Sequence, residues 1–437
     1  MNRNIKAPNS YRLVSEIIRL LNVVIKKLEL NRTKAGKSIR YELSPYYYDV
    51  IRLPDIKIIN SNADVRLNVV LPTFDESACY GGIISALEIV SNISKHYNSI
   101  RFISLDTLKQ KNIIYLDCYV ANRETKFVSQ TSLADSDSLC CGINEIFLCT
   151  YYTTVSVWES YVRTLREHGY KINRYYYIIQ DYEPGFTPFG YLNSLALKSY
   201  DHSEYTFAIF NSIELYEYFK ARGYTFSAEK IIYPSVNTVE RDYLASNNYN
   251  LKTKGDECIE ILLYGRPKHS RNCFQSIIAG LYEYFVTIPV NERTKYVVKS
   301  VGFFHEDIEL CDNVVVKCLG KLTIENYIKQ LEVSHIGISL MASPHPSYPP
   351  LEMAIFGLYT ITNKFFSKTF NDCHEMIHAI DYPLPSELAQ ELRNAVAYVI
   401  GNSNKYIKAT IPKNMSDLSW GENLSNTSID KISGYNH

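Results

Sequence analysis

Short apolar runs alternate with segments of helical periodicity along most of the chain. In the first half, apolar runs lie at 66–72, 100–105, 113–120, 145–151, 175–180, 205–210 and 230–234, and helical spacing lies at Ile83–Lys95 and Glu214–Ala221. Continuous apolar strands that alternate with helices are typical of a mostly parallel sheet covered on both faces. We therefore predict a Rossmann-like domain over residues 63–245.

A polar stretch at Ala245–Glu257 interrupts this pattern and is predicted to be a linker. The alternation then restarts, with apolar runs at 258–264, 295–301, 313–319, 335–341 and 359–362, and helices expected at Phe274–Phe285, Ile324–Ser334, Leu351–Phe356 and Ser386–Gly401. This predicts an α/β fold with a second Rossmann-like domain over 246–412, followed by a polar tail over 413–437. Two such domains place a ligand cleft between the carboxyl ends of their strands.

The first 62 residues have a different character and are predicted to form a basic helical extension. Residues 1–40 carry ten Lys and Arg against two Glu, and apolar residues recur at helical spacing from Tyr11 to Leu30. A basic amphipathic helix of this kind can pack on the body of the protein or lie on an anionic membrane surface, and the two are compatible. No apolar run reaches the roughly 18 residues needed to span a bilayer, and the start lacks a signal-peptide pattern. We expect a cytoplasmic protein that can contact the inner face of the membrane peripherally.

Charge balance and cysteine spacing indicate which partners and which cellular compartment to expect. The 46 basic and 46 acidic residues balance, so we expect no nucleic-acid partner. The ten cysteines include no CxxC pair, which favours reduced thiols in the cytosol.

Two segments of the second predicted domain favour anion binding. In the first, a strand ends in a Pro-rich loop, and Pro349 and Pro350 then start a helix whose free N–H groups suit a diphosphate. Glu352 in this helix can accept hydrogen bonds from sugar hydroxyls, or it can simply favour the dipole of its own helix. In the second, Gly265 allows a tight turn, and Arg266 and Arg271 follow it beside a helix start.

Two segments of the first predicted domain are weaker candidates. Gln180, Asp181 and Glu183 follow an apolar strand, where a carboxylate could orient a polyol or take a proton, although Asp and Glu before Pro-Gly are also ordinary turn residues. Gly81 and Gly82 follow the first apolar run and would allow a ligand to approach the backbone closely.

Two further motifs are typical of metal sites, but the residues around each of them argue against a metal there. Residues 374–378 match HExxH, the zinc motif of a helix, but the residues after it predict a short strand and a Pro-broken loop. Asp135 and Asp137 match the DxD of metal-dependent sugar transferases within a Ser-rich stretch where chance matches are common.

Taken together and in this order, the Gly-Gly loop, QDYEP, YGRP with RN, GKL at 320–322, and SPHPSYPPLEMA resemble the family 4 glycosyltransferases of GT-B architecture, and within them a bacterial rhamnosyltransferase subgroup. The resemblance covers about Leu67 to Asn363. It implies that the second domain binds a nucleotide sugar, dTDP-β-L-rhamnose, and that the first binds a glycan acceptor, lipid-linked in a surface polysaccharide pathway. It also implies a reaction that retains anomeric configuration and needs no metal or other cofactor.

The resemblance further implies roles for individual residues. The predicted donor site comprises Arg266 and Arg271 on the diphosphate, the backbone near Leu322 at the base, Glu352 on the deoxyribose, and His345, Ser347 and Tyr348 around the phosphates and sugar. The predicted acceptor side comprises Gly81, Gly82, Gln180 and Glu183, with Asp181 as the catalytic residue that acts as base or orients the acceptor.

One departure from the family pattern affects the sugar contact. Family members usually carry two Glu separated by seven residues, and Pro344 stands where the first would be, so that His345 is the candidate replacement. Two other functions remain open at this point: a zinc hydrolase using His374, Glu375 and His378, and a non-catalytic protein that binds a glycan or a nucleotide.

Overall fold

The computed structural model describes residues 55–59, 65–75, 81–106, 127–133, 138–251, 258–402 and 408–416. The predicted helix at Tyr11–Leu30, the strand at 113–120, Asp135 and Asp137, and residues 417–437 of the predicted tail lie outside the described residues. Among the residues described, no helix is long and apolar enough to cross a membrane.

A seven-stranded parallel sheet forms the core of the first domain. Its strands and those of a small two-stranded sheet are β1 Asp55–Ile58, β2 Arg66–Leu71, β3 Ser99–Ser104, β4 Phe127–Ser132, β5 Ser138–Cys141, β6 Ile146–Cys149, β7 Tyr175–Ile179, β8 Thr206–Phe210 and β9 Ala228–Ile231. The strand order is β4-β3-β2-β6-β7-β8-β9, and β1 pairs with β5 separately. The helices are α1 Gly81–Ile93, α2 Tyr152–Glu167, α3 Tyr191–Lys198 and α4 Ile213–Ala221.

The apolar runs form this sheet because helices cover both of its faces. All residues of β6, β7 and β8 are buried, which is the burial of strands covered on both sides. Side chains on one face pack with α1 and those on the other with α2 and α4, giving two apolar layers. The carboxyl ends of these parallel strands therefore share one edge of the sheet.

The second domain repeats this architecture. Its strands are β10 Ile259–Gly265, β11 Tyr296–Gly302, β12 Ile308–Cys311, β13 Val314–Gly320, β14 Ile336–Ile338, β15 Tyr359–Asn363 and β16 Ile377–Ile380. Their order is β12-β13-β11-β10-β14-β15-β16, and all pairs are parallel except β12 with β13. The helices are α5 Thr238–Ser246, α6 Phe274–Phe285, α7 Ile324–Val333, α8 Tyr348–Ile355 and α9 Pro385–Gly401. The predicted fold class of two Rossmann-like units is confirmed.

Several elements differ from the prediction for physical reasons. Helix α2 was not predicted, because Thr154, Ser156 and Ser160 lie on its buried face and hide the apolar period. The strand expected at 335–341 ends at Ile338, where the chain leaves the sheet, and the helix expected from Leu351 begins at Tyr348. Helix α5 lies within the predicted first domain, yet its Leu244 packs in the apolar core of the second.

Close packing sets the position of α8, which follows the strand β14. A Cβ atom at Gly337 in β14 would lie 2.7 Å from Sδ of Met353 in α8. Since a real Cβ does not tolerate that distance, glycine allows α8 to approach the sheet closely. The start of α8 is thereby fixed at the carboxyl edge of the second sheet.

A buried charge network braces the first sheet. The Glu145 carboxylate, 5% exposed, accepts hydrogen bonds from Asn68 Nδ2 at 2.6 Å, Arg101 Nη2 at 3.0 Å and the Gly142 N–H at 2.8 Å, and it pairs with Arg66. Removing one charge of such a buried group leaves the others uncompensated.

We expect Glu145→Gln to lower the free energy of unfolding by about 3–5 kcal/mol, because Arg101 would remain buried without its counter-charge. Urea unfolding followed through Trp158, which lies in the same domain, measures the change. The control is Asp307→Asn, which breaks the exposed pair with Lys317 and should change the midpoint little. Equal shifts for the two variants would contradict the assignment.

Candidate functional site

Asp181 lies two residues beyond β7 and joins the two domains. Its Oδ1 accepts hydrogen bonds from Ser343 Oγ and from the backbone N–H of Tyr182, the latter at 2.8 Å. Its Oδ2 lies 3.7 Å from Nη1 of Arg271. Ser343 and Arg271 belong to the second domain, so this carboxylate contacts both of the segments that the sequence predicts to bind an anion.

Arg271 lies in the turn Ser270–Asn272 that leads into α6. Its guanidinium stacks over the Phe186 ring of the first domain at 4.0 Å, and its backbone carbonyl accepts a hydrogen bond from the Ala342 N–H at 2.7 Å. The turn Ser270–Asn272 is therefore hydrogen-bonded to the loop after β14, and the Arg271 side chain lies between the two domains.

Arg266 follows Gly265 at the carboxyl end of β10. Glycine is required there, because a Cβ would lie 2.2 Å from Ser300 Oγ on the neighbouring strand. The Arg266 guanidinium lies 4.5 Å from the Phe303 ring, and its Nη2 is 3.1 Å from Nε2 of His269. Burial first, and then the charges of Arg266 and Arg271, lower the pKa of His269 to about 4. His269 is therefore neutral at pH 7, and its Nε2 can accept from Arg266.

The loop after β14 is held in place by hydrogen bonds with Asn363 and Lys368. The Asn363 amide accepts from the Met341 N–H at 2.6 Å and donates to the Met341 carbonyl at 3.2 Å. Lys368 Nζ donates to the same carbonyl at 2.6 Å and is fully buried. Burial lowers the pKa of Lys368 to about 7, although the carboxylates of Asp181 and Glu214 act in the opposite direction. Lys368 could not be predicted from the sequence, since nothing in its neighbours along the chain indicates burial near Asp181.

His345 presents an unused hydrogen-bond donor within this loop. Its Nδ1 accepts the backbone N–H of Ser347 at 3.0 Å, which leaves the hydrogen of the neutral ring on Nε2. Nε2 is buried and has no hydrogen-bond partner among the residues described. Burial, which outweighs the opposing effect of Asp181, lowers the pKa of His345 to about 4, so the ring is neutral at pH 7.

The start of α8 also contacts the first domain. Ser347 has a positive φ of 70° with ψ of 150°, a backbone conformation that a serine rarely adopts, and Tyr348 follows it. The Tyr348 hydroxyl lies 3.3 Å from Oγ of Ser85 in α1. Strained backbone is a feature of ligand-binding loops. The Tyr348 side chain therefore lies at the interface of the two domains, and contact of Ser347 and Tyr348 with a ligand stays a prediction.

Glu352 and Leu322 lie on the second domain only. The carboxyl of Glu352 lies in α8, and burial raises its pKa, while the Tyr327 hydroxyl lowers it. Leu322 precedes α7 and packs partly buried against the apolar core. Both positions are on the carboxyl side of the second sheet, where the predicted nucleotide would lie.

The predicted acceptor residues divide into two groups. A Cβ at Gly82 would lie 3.0 Å from Oε1 of Gln180, so the structure brings the glycine at the start of α1 and Gln180 together. Gly81 is the first residue of the same helix. Glu183 instead lies 2% exposed, and its Oε2 accepts from the Tyr152 N–H at 2.7 Å and the Tyr177 hydroxyl at 2.8 Å.

Burial raises the pKa of Glu183 to about 8. Its carboxyl is engaged inside the first domain at the start of α2, so its contact with an acceptor remains a prediction.

The HExxH residues do not form a helix. His374 and Glu375 lie outside any helix or strand, and His378 lies on β16, where its ring stacks on Tyr359 at 3.7 Å. His374 Nε2 lies 2.6 Å from the Thr410 hydroxyl. The described part of the chain contains no group of three or more His, Cys, Asp or Glu side chains that could hold a metal ion. The helical geometry required of this zinc motif is therefore missing.

Comparison with known proteins agrees with this architecture. Models of the N-terminal and C-terminal domains of WsaF match residues 66–213 and 259–393, which together are more than half of the chain. The O-antigen biosynthesis protein RfbC of Myxococcus xanthus is 27% identical over 263 residues, covering 60% of this chain and 19% of RfbC. The chain thus spans about a fifth of that relative's length.

The crystal structure of Anabaena HepE in complex with UDP and glucose superposes with a TM-score of 0.50 at 11% identity, covering 83% of this chain and 98% of HepE. A likeness at this identity concerns the fold. It agrees with the two parallel sheets described above, and the two WsaF domain models match segments of both. The chain therefore belongs to the WsaF family of glycosyltransferases and has the GT-B architecture.

Proposed function

We propose that this protein transfers L-rhamnose from dTDP-β-L-rhamnose to a growing surface glycan on a lipid-linked acceptor, with retention of configuration and without a metal ion. The observation that carries the proposal is the position of Arg271, which lies in the predicted anion-binding turn of the second domain, 3.7 Å from Asp181 of the first. A cation at this point can hold a donor diphosphate next to an acceptor held by the other domain.

Two arginines favour a reaction that does without metal. Arg266 follows the end of β10, Arg271 lies 3.7 Å from Asp181, and the N-terminus of α8 adds the positive end of a helix dipole. The transition state of glycosyl transfer places negative charge on the departing diphosphate. These groups would neutralise that charge at fixed positions.

Other residues of the second domain would contact the sugar and the nucleoside of the donor. The Nε2–H of His345 has no hydrogen-bond acceptor among the described residues. A sugar hydroxyl or a phosphate oxygen would serve as its acceptor. His345 would then take the place of the glutamate that Pro344 replaces. Glu352 would accept a hydroxyl of the deoxyribose, and the backbone near Leu322 would contact the base.

On the side of the first domain, Asp181 would orient the acceptor. Its two carboxylate oxygens already contact Ser343 and Arg271, which fixes the side chain in the cleft. In a retaining front-face reaction the departing phosphate can take the acceptor proton, so Asp181 would position the hydroxyl. Gln180 and the start of α1 would contact the acceptor sugar.

The proposed class of acceptor is inferred from the name of a relative. RfbC is named as an O-antigen biosynthesis protein, and a surface glycan is the corresponding acceptor for this chain. Contact of the basic segment Tyr11–Leu30 with the inner membrane face would bring the enzyme to lipid-linked glycans, and this remains a prediction because the segment lies outside the described residues.

We expect Arg271→Ala to raise the Kd for dTDP by roughly 10- to 100-fold, because a charge-assisted contact to phosphate is lost. Isothermal titration calorimetry measures the affinity. The matched control is Arg393→Ala, which removes an exposed arginine of α9 in the same domain and should leave the Kd unchanged. If Arg271→Ala binds dTDP normally while the parent also binds, the donor site has been placed wrongly.

Lys368 predicts a pH dependence of stability. The unfolded chain keeps the lysine proton up to its ordinary pKa of 10.5, whereas the folded protein loses it near 7. The unfolded state therefore binds more protons between these values, and this group makes the protein more stable as pH rises through that window. Against Lys368→Met, we expect the wild-type unfolding free energy to gain about 4 kcal/mol between pH 7 and 10.5.

Urea unfolding of both proteins at several pH values measures this gain. A constant difference between them would show that Lys368 carries the same charge in both states. The same variant should transfer sugar more slowly, because the loop after β14 loses the hydrogen bond from Lys368 to the Met341 carbonyl.

A further inference from the structure

Phe186 is an aromatic residue of the first domain that none of the roles above uses. It ends the short 3₁₀ turn Glu183–Phe186 that follows Asp181, and its side chain is partly buried. The guanidinium carbon of Arg271, a residue of the second domain, lies 4.0 Å from the centre of the Phe186 ring. At this distance a guanidinium is attracted to the negative face of an aromatic ring. The two domains are therefore in contact at the cation that is proposed to hold the diphosphate.

The other contacts of the Arg271 side chain fix it less closely. Its Nη1 lies 3.7 Å from Oδ2 of Asp181, which is beyond the ordinary length of a hydrogen bond. Its Nε is buried and has no hydrogen-bond partner among the residues described. A long side chain without such partners can adopt many rotamers, and ordering it on binding costs free energy. The Phe186 ring therefore limits the positions that are open to the guanidinium.

The first domain holds the Phe186 ring in place. Asn193 Nδ2 of α3 donates a hydrogen bond to the Pro184 carbonyl of the same turn at 2.6 Å. Glu183, at the other end of the turn, accepts the hydrogen bond from the start of α2 described above. The ring of Tyr151, just before α2, lies 6.0 Å from the Phe186 ring and is inclined to it by 19°. Because these contacts connect the turn to two helices, the ring is a fixed surface for Arg271.

We propose that Phe186 is a positioning residue for the donor, which stacks on Arg271 and so holds the guanidinium where the diphosphate binds. A residue of the first domain would thereby contribute to the affinity of the second domain for the donor. The inference rests on the proposed function, because it needs Arg271 to contact the diphosphate. Phe186 covers one face of the guanidinium and does not touch the donor itself. The N–H groups point outward in the guanidinium plane, so stacking leaves them available to phosphate oxygens.

A double-mutant cycle on the full chain, with the Kd for dTDP measured by titration calorimetry, tests the proposal. Phe186→Leu removes the ring but keeps an apolar side chain, and we expect its Kd to rise about three- to tenfold. Phe186→Tyr keeps the ring, so its Kd should stay within about twofold of wild type. In the Arg271→Ala background, Phe186→Leu should change the Kd by less than about twofold, because the contact is already lost.

Phe189→Leu is the matched control. Phe189 lies three residues further along the same loop and is 97% exposed. The same substitution there should leave the Kd for dTDP unchanged. Thermal melting of each variant checks that the fold is kept.

Three results would overturn the inference alone. The first is unchanged binding by Phe186→Leu, and the second is a Phe186→Leu effect of the same size with and without Arg271, which indicates a general disturbance of the domain interface. The third is a Phe186→Tyr variant as weak as Phe186→Leu, because the retained ring would then have no effect. Failure of the wild-type protein itself to bind dTDP or any other nucleoside diphosphate overturns the proposed function, and the inference with it.

Discussion

The contact of Asp181 with Ser343 and Arg271 is the constraint on which the candidate site depends. It exists because two parallel sheets direct their carboxyl ends to a common cleft, so that a residue just after β7 meets the loops that follow β10 and β14. The carboxylate of one domain thereby positions the cation and the hydroxyl of the other. Under the proposed function, the donor and the acceptor would be held next to each other at fixed positions, which lowers the barrier in a reaction without a strong nucleophile.

Buried charge is used in two different ways in this molecule. Glu145 in the first domain is surrounded by donors that satisfy its carboxylate, and its contribution is to brace the sheet. Lys368 in the second domain is buried with few partners, at a cost to stability that packing alone does not explain. Groups held in this incompletely satisfied state are characteristic of sites that await a ligand. Lys368 contacts the loop after β14, which carries residues already predicted for the donor site.

Local sequence was enough to predict most strands and the ends of the strands that carry the site. Continuous apolar runs can satisfy their backbone only in a sheet covered on both faces, so 175–180 and 205–210 correspond closely to β7 and β8. The polar residues that follow such runs, including Asp181, Arg266 and Arg271, were predicted for the same reason. The burial of Lys368 and the stacking of Phe186 on Arg271 could not be predicted, because both are created by contacts with segments far away in the chain. Glu183 shows the same limit, since only the structure reveals that its carboxyl is directed to the start of α2.

The central claim is that the protein transfers a rhamnosyl group with retention. The most direct measurement incubates the purified protein with ¹³C-labelled dTDP-β-L-rhamnose and a detergent extract of membranes from its own cells, and determines the anomeric configuration of the product by NMR. We expect a labelled β-L-rhamnosyl linkage and an equal amount of free dTDP, formed without added divalent cation. An α-linked product, or no transfer from a donor that the protein binds, would contradict it.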